Sequence, residues 1–184
     1  DPNSGYRVNA NGVELREVIE KGLMGAVFFY QAMEVYLSGD RMGSVGNENL
    51  EEGKNYTPME HYFDEAFGYF GIPMDFPNMV TIDDARFWGK YCNSRDNGLY
   101  EGINDEIATA FRTARAAIVA KNYEMRDEAI QTIQQKWAII IASTAVDYLR
   151  VGLRTSGEPN YKRHHALSEA IGFLLALNYH FEGG

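Results

Sequence analysis

Apolar residues recur at intervals of three and four along most of the chain, which is the spacing of one face of an α-helix. The pattern predicts six helices, at about residues 13–37, 57–70, 81–91, 105–121, 124–150 and 161–179. Glycine- and proline-containing segments separate several of them. The predicted fold class is therefore all-α, a single helical bundle with essentially no sheet, and 184 residues are enough to bury a core.

Two of the predicted helices have a defined apolar face. In the first long helix the three-four spacing is followed by Leu15, Val18, Ile19, Leu23, Ala26, Val27, Tyr30, Met33 and Leu37. In the helix at 105–121 it is followed by Ile107, Ala110, Phe111, Ala114 and Ile118. We expect both faces to pack in the core.

Local signals mark the ends of the shorter helices. Thr57, Pro58 and Glu60 predict a helix start with a capping box, and Gly71 with Pro73 predicts its end. Thr81 followed by Asp84 predicts the start of the next helix. The sequence Asp-Asn-Gly at 96–98 predicts a turn.

One sequence pattern occurs twice. His-Tyr-Phe-Asp-Glu-Ala-Phe-Gly at 61–68 returns as His-Ala-Leu-Ser-Glu-Ala-Ile-Gly at 165–172, and the His, Glu, Ala and Gly positions are identical. A match of this length in the same register rarely arises by chance. The chain is therefore predicted to contain a duplicated helical unit.

The duplication extends to the long helices, because Tyr36-Leu37 corresponds to Tyr148-Leu149. We expect one domain, 1–184, built of repeat 1 (about 13–71) and repeat 2 (about 105–180) and related by a pseudo-two-fold rotation. The helix that opens repeat 2 would have its counterpart before residue 1. We therefore expect the opening helix of repeat 1 to precede this chain.

Each copy of the pattern places a His, a Glu and a Gly on one helix face, because the three lie four and three positions apart. Glycine inside a helix costs about 1 kcal/mol relative to alanine, so its presence suggests that a helix backbone or a ligand approaches closely. Imidazole and carboxylate groups together suit a transition metal such as iron or zinc. The six residues are His61, Glu65, Gly68, His165, Glu169 and Gly172.

Each His–Glu–Gly set on one helix face is called a stripe below, and the two stripes have three interpretations. Each His–Glu pair can be a polar latch inside the bundle, with no ligand. If pseudo-symmetry brings the stripes together, His61, Glu65, His165 and Glu169 form a metal or ligand site. The same groups can also support catalysis, which needs an activated water and a general base.

Three charged residues outside the stripes are further candidates. Asp64 follows His61 closely enough to supply a carboxylate, and we include it among the ligand-binding residues. Arg115 is either a surface charge or the partner of a buried carboxylate, and we include it as well. Asp147 lies in apolar surroundings, so we expect a donor beside it.

Composition and charge disfavour several classes of binding partner and several structural features. The formal net charge of −9 disfavours nucleic acid and anionic membranes. Cys92 is the single cysteine, so there is no intrachain disulfide. The apolar runs at 23–30 and 137–146 are too short to span a bilayer. No signal peptide is visible and the chain does not begin with Met, so we expect a processed or trimmed sequence.

The chain resembles the imelysin-like superfamily and, more closely, an uncharacterised family of Bacteroidetes envelope lipoproteins. The matching segments are 22–28, 59–71, 93–96, 115–118 and 165–170. The resemblance implies a duplicated all-helical bundle, export to the periplasm or outer membrane, and a link to iron acquisition. It also implies that any membrane attachment is through a lipid anchor outside this chain, and that an envelope protein is a possible partner.

The chain departs from the motif of imelysins proper, which carry Gly-x-His-x-x-Glu and have been grouped with metallopeptidases. Met59 stands two residues before His61, Asp64 stands three after it, and Ser168 takes the last position in the second copy. A zinc-peptidase His-Glu-x-x-His is absent from the sequence. These departures favour a non-catalytic binding protein. The alternatives are a metal-dependent peptidase or hydrolase, with Asp64 or Glu65 as general base, and a structural interaction module.

Overall fold

The structure, a computed structural model, describes residues 5–43, 45–78, 84–96, 98–157 and 160–179. Within these ranges the regular structure is helical and contains no strand, which confirms the all-α class. The α-helices are α1 (Leu15–Leu23), α2 (Gly39–Met42), α3 (Pro58–Phe70), α4 (Phe87–Asp96), α5 (Ile103–Val119), α6 (Tyr123–Arg154) and α7 (Asn160–Ala176). The pseudo-two-fold relation between the halves stays a prediction.

The two long helices have different backbones. α1 continues into two π-helical segments, Met24–Phe29 and Gln31–Tyr36, in which the hydrogen bonds span one residue more than in an α-helix. α6 stays α-helical up to a short 3₁₀ segment, Thr155–Gly157. None of the described helices combines the length and the apolar character needed to cross a membrane.

α3 begins and ends as its sequence predicts. The Thr57 hydroxyl accepts a hydrogen bond from the backbone N–H of Glu60 at 3.3 Å, and the Glu60 carboxylate accepts one from the N–H of Thr57 at 2.8 Å. Pro58 occupies the first helical position. The helix ends at Gly71, whose φ of 85° lies in the left-handed region that glycine adopts at low cost.

α4 was predicted at 81–91, but it spans Phe87–Asp96 and therefore begins and ends later than predicted. The predicted cap Thr81 and the central turn residue Asn97 lie outside the described residues. Arg95, in the last turn of α4, contacts Asp147 of α6 with Nη1 2.6 Å from Oδ2. This contact confirms that Asp147 has a donor.

The core forms where α6 lies between its neighbours. α6 packs against α5 and α7, α7 also packs against α1, and α3 packs against α5 and the Gln31–Tyr36 segment. At the centre, the fully buried ring of Trp137 lies 5.6 Å from the ring of Phe29 and 4.7 Å from that of Phe70. Aromatic residues from three elements therefore join the two halves of the chain in one core.

The apolar face predicted for α5 is confirmed. Each of its five residues is at most 6% exposed. α5 packs against α3, α4 and α6, and each of these helices contributes apolar residues to the core.

The apolar face predicted for the start of the first helix is wrong. Leu15, Ile19 and Leu23 are 55%, 58% and 52% exposed. Farther along the same helix, Met33 and Leu37 are buried as predicted. In α1 the buried side is polar, because α1 packs on a polar face of α7. That contact forms the candidate site.

Candidate functional site

α1 and α7 approach each other closely at Gly172. A Cβ atom at this position would lie 2.6 Å from the Cβ of Lys21 and 3.1 Å from the carbonyl oxygen of Glu17. The prediction of a close approach at Gly172 is therefore confirmed, and the partner is a helix. The approach brings the polar residues of both helices together.

These residues form a charged cluster, which we define as Glu14, Glu17, Lys21, His165 and Glu169. His165 lies between two carboxylates, with Nδ1 2.7 Å from Oε2 of Glu14 and Nε2 3.4 Å from Oε2 of Glu169. The Lys21 ammonium lies 3.3 Å from Oε2 of Glu17 and 3.5 Å from Oε1 of Glu169. The cluster thus joins the start of α1 to the middle of α7.

The local fold positions Glu14 and His165 firmly. Glu14 is the residue that precedes α1, and its backbone N–H donates to the Ser168 hydroxyl at 2.8 Å. The same hydroxyl donates to the carbonyl of His164 at 2.6 Å. The ring of Tyr6 lies 4.6 Å from that of His165 and covers part of it. His165 keeps a side-chain exposure of 27%, which leaves a route from solvent.

The charged cluster holds more negative than positive charge. Glu14, Glu17 and Glu169 are 3%, 5% and 7% exposed, whereas Lys21, at 7% exposed, is the one buried ammonium near them in the part of the chain that the structure describes. The other nearby cation, Arg16, has a 78% exposed side chain with Nε 3.8 Å from Glu17. Charge of one sign is costly in a buried place, so the cluster favours a bound cation or a proton.

The electrostatics of individual groups reflect this imbalance. Burial raises the pKa of Glu169, although Lys21 and His165 act in the opposite direction. Burial alone would lower the pKa of Lys21, but Tyr91 and the neighbouring carboxylates reverse that effect and raise it. Burial also raises the pKa of Tyr148 beside Glu169. Lys21 therefore stays charged in the cluster, and Glu169 binds a proton more readily than an ordinary glutamate.

Three residues of the cluster have the geometry to hold a metal ion. Glu14, Glu17 and His165 each offer one ligand atom, and these atoms lie within 4.8 Å of one another. Glu169 contacts the ring nitrogen of His165 that faces away from Glu14. Histidines that bind metals commonly donate their other ring N–H to a carboxylate, which fixes the ring orientation. Glu169 Oε2 lies 3.4 Å from that nitrogen, within ion-pair distance.

The first copy of the repeated pattern has different surroundings. The side chains of His61 and Glu65 are 39% and 42% exposed, with His61 Nε2 3.9 Å from Glu65 Oε1. The His61 ring stacks on Tyr56 at 5.1 Å. A Cβ atom at Gly68 would meet no other residue within 4 Å, so the close approach expected there does not occur among the described residues.

The two His–Glu pairs therefore do not converge on one metal centre. Across the ranges the structure describes, the group of acids and imidazoles with suitable ligand geometry contains His165 and lacks His61. The reason is that α7 packs against the charged side of α1, whereas the His61 side of α3 lies at the surface. The two copies share His, Glu and Gly residues, but these residues are buried in the second copy to a greater extent than in the first.

Asp64 and Arg115, the other two predicted ligand-binding residues, do lie together. Arg115 Nε donates to Asp64 Oδ1 at 2.8 Å, and its Nη1 donates to Glu60 Oε1 at 2.8 Å. Glu60 has a 12% exposed side chain, so Arg115 pairs with a mostly buried carboxylate. Asp64 and Arg115 also border a cavity between α3 and α5.

Glu60 yields a prediction with a defined pH dependence. Burial alone would raise its pKa, but hydrogen bonds from Thr57 and Arg115 outweigh burial and lower it below its ordinary value of 4.5. Glu60→Gln should therefore cost about 1 kcal/mol of stability at neutral pH. The cost should be present above pH 4.5 and disappear as pH falls through the lowered pKa of the folded state.

Urea unfolding of both proteins at about pH 7 and about pH 3 measures this difference. Glu65→Gln is the matched control, because Glu65 is 42% exposed and its contact with His61 is long. It should change stability little at either pH. An equal loss for Glu60→Gln at both pH values would contradict the assigned role of its charge.

Sequence analysis found His165 and Glu169 but missed Glu14, Glu17 and Lys21. A signal was available, because these three residues follow the three-four spacing of a single helix face. A polar stripe at that spacing is usually solvent-exposed, so it was not singled out. This polar face is buried because it packs against α7. α7 lies about 150 residues away in sequence, so the contact cannot be recognised from the sequence of α1 alone.

A family model described as a domain of unknown function, DUF4856, matches residues 2–184. The chain belongs to this family. The match to DUF4856 spans both predicted repeats, and the family description assigns no activity. No curated protein and no solved structure matches the chain. The similarity to imelysins stays a prediction.

Proposed function

We propose that this DUF4856 protein is a non-catalytic binding protein whose ligand is a divalent transition-metal ion held by Glu14, Glu17 and His165. The observation that carries the proposal is the excess of buried carboxylates around a half-buried imidazole, with Lys21 as the one buried ammonium among them. A divalent cation would balance that charge and replace the lost hydration of the carboxylates.

The three ligand atoms limit which metal ions the site would bind well. Two carboxylate oxygens and one imidazole nitrogen suit manganese, iron and zinc better than soft metals that prefer thiolates. The predicted resemblance to imelysin-like proteins, which implies a link to iron acquisition, supports iron as the natural ion. It also supports a place in the periplasm or at the outer membrane, with attachment through a lipid outside this chain. These parts of the proposal rest on the resemblance alone.

The test compares the two copies of the repeated pattern. Metal-free protein is titrated calorimetrically with Mn²⁺, Zn²⁺ and, without oxygen, Fe²⁺. His165→Ala removes a proposed ligand, and we expect its affinity to fall by at least the ~10–100-fold that loss of an outer-shell partner costs. His61→Ala is the matched control, because it removes the equivalent histidine from a place without a ligand cluster. Its affinity should equal that of the unmodified protein.

Thermal melts of the same proteins separate a metal site from a latch. A bound ion should stabilise the unmodified protein by about 2.7 kcal/mol at an ion concentration of about 100 Kd. At the same ion concentration the gain of His165→Ala should fall to about 1.4 kcal/mol or less, because its affinity is expected to be at least ten-fold lower. If none of the three ions produces heat or a shift in melting, and His165→Ala only lowers stability, then the cluster is a latch and the proposed function is wrong.

A further inference from the structure

The cavity between α3 and α5 shares no lining residue with the charged cluster. We call it the Phe111 pocket, and its volume is ≈ 290 Å³. Phe63 and Phe67 of α3 face Phe111 of α5 across its wall, with ring centroids 6.1 and 5.3 Å from that of Phe111 in edge-to-face geometry. Ile72 and Met74 close it from the segment that follows α3. The lining is therefore mostly aromatic and aliphatic.

Two arginines border the pocket, and they differ in their partners. Arg115 is neutralised by Asp64 and Glu60, which accept three hydrogen bonds from its guanidinium. Arg112 donates from Nη1 to the backbone carbonyl of Phe76 at 2.9 Å. Among the described residues, no carboxylate lies within ion-pair distance of Arg112.

The difference makes Arg112 the guanidinium at this edge that can bind an anion, because Arg115 already pairs with two carboxylates. A guanidinium has five N–H groups, so the bond to Phe76 leaves Arg112 able to donate to a second acceptor. The same bond anchors the side chain on the segment after α3. Arg112 is exposed to solvent, as expected for a residue at the opening of a pocket.

We propose that the Phe111 pocket binds a small organic carboxylate with an apolar body, and that Arg112 holds the carboxylate group. The apolar body packs against the apolar wall of the pocket, where it is removed from water. The carboxylate remains at the opening and accepts charge-assisted hydrogen bonds from Arg112. Ligand pockets commonly combine such apolar walls with a few polar groups that fix orientation.

The pocket size limits the ligand. A volume of ≈ 290 Å³ lies at the lower end of the roughly 300–1,000 Å³ common for ligand sites. It therefore suits a medium-chain fatty acid or a single-ring aromatic acid better than a long-chain lipid. The shared chemistry is one carboxylate on a compact apolar body.

Calorimetry with four probes tests the proposal. Octanoate represents aliphatic acids, and phenylpropionate represents aromatic acids. Octanol has the same chain length as octanoate but no charge, and octylamine carries a positive charge instead of a negative one. We expect one or both acids to bind, octanol to bind more weakly, and octylamine not to bind. Competition between the two acids shows whether they occupy one site.

Two variants locate the site. Arg112→Gln removes the charge and should weaken acid binding by roughly ten-fold or more while leaving octanol binding unchanged. Arg150→Gln makes the same charge change at an exposed position outside the pocket and should have no effect. Ala116→Phe adds bulk at the edge of the pocket, where Ala116 is exposed, and should weaken acids and octanol alike.

Failure of both acids to bind the unmodified protein would overturn the proposal. It would also be overturned if octylamine bound as well as octanoate, or if Arg112→Gln and Arg150→Gln weakened acid binding equally. None of these outcomes depends on the metal, because the titrations use metal-free protein and the two sites share no residue.

Discussion

Gly172→Ala should destabilise the protein by about 2–3 kcal/mol, whereas Gly68→Ala should leave its stability unchanged or raise it by up to about 1 kcal/mol. The two glycines occupy the same position in the repeated pattern, and both lie inside helices. Their contacts differ. The added methyl group would lie 2.6 Å from Lys21 Cβ at Gly172 but would meet no other residue within 4 Å at Gly68.

The physical reason is that the close atoms at Gly172 cannot all move away. Two of the three are the backbone carbonyl oxygens of Glu17 and Val18, so α1 must shift as a whole to make room. A shift of α1 would lengthen the contact of Lys21 with Glu169 and that of Glu14 with His165. At Gly68 the same substitution only replaces a residue of low helix propensity by one of high propensity.

Chemical denaturation of the two variants measures the contrast. Equal stability changes in both would contradict the close packing of α1 on α7. The outcome would also bear on the metal site, because a displaced α1 should weaken metal binding in Gly172→Ala but not in Gly68→Ala.

The parts of the fold that sequence predicted correctly are those fixed by local chemistry. Thr57, Glu60 and Gly71 determine the ends of α3 through bonds within a few residues, so no knowledge of the tertiary fold was needed. The inward face of α5 was also predictable, because one face carries its apolar residues and the helices packed against it, α3, α4 and α6, contribute apolar residues to the core.

α1 shows why the rest could not be predicted. Leu15, Ile19 and Leu23 follow the three-four spacing, and so do Glu14, Glu17 and Lys21 on another face. Hydrophobicity selects the first face, but the structure buries the second because α7 offers His165 and Glu169 as partners. Periodicity identifies faces, whereas the choice between them depends on the neighbour.

The site was predicted in part for the same reason. The repeated pattern identified His165, Glu169 and Gly172, which do lie in the charged cluster. It also suggested that His61 and Glu65 would join them, and they do not. A duplicated sequence predicts duplicated local geometry, but it does not predict which copy acquires a partner helix.

Lys21→Met should lower the stability of the metal-free protein by about 3–5 kcal/mol, the usual cost of removing one partner from a buried ion pair. Methionine keeps much of the length of lysine but not its charge, so Glu17 and Glu169 lose their buried ammonium. Lys136→Met is the matched control. Lys136 contacts the 43% exposed carboxylate of Glu106, so its loss should cost about 1 kcal/mol or less.

The pH dependence follows from the sign of the charge. Burial already raises the pKa of Glu169, and Lys21 opposes that rise, so its removal should raise the pKa further. A carboxyl group with a raised pKa in the folded state destabilises the fold when ionised, and protonation relieves the cost. The loss in Lys21→Met should therefore be largest at neutral pH and shrink as the pH is lowered.

Metal addition separates the proposed site from a latch most sharply in this variant. If Glu14, Glu17 and His165 bind a divalent ion, the ion replaces the positive charge of Lys21 and should restore part of the lost stability. The gain should exceed that of the unmodified protein, where Lys21 repels the ion. Thermal melts with and without Mn²⁺ or Zn²⁺ measure both gains. A Lys21→Met protein that is destabilised at neutral pH and gains nothing from either ion would exclude a cation site in the charged cluster.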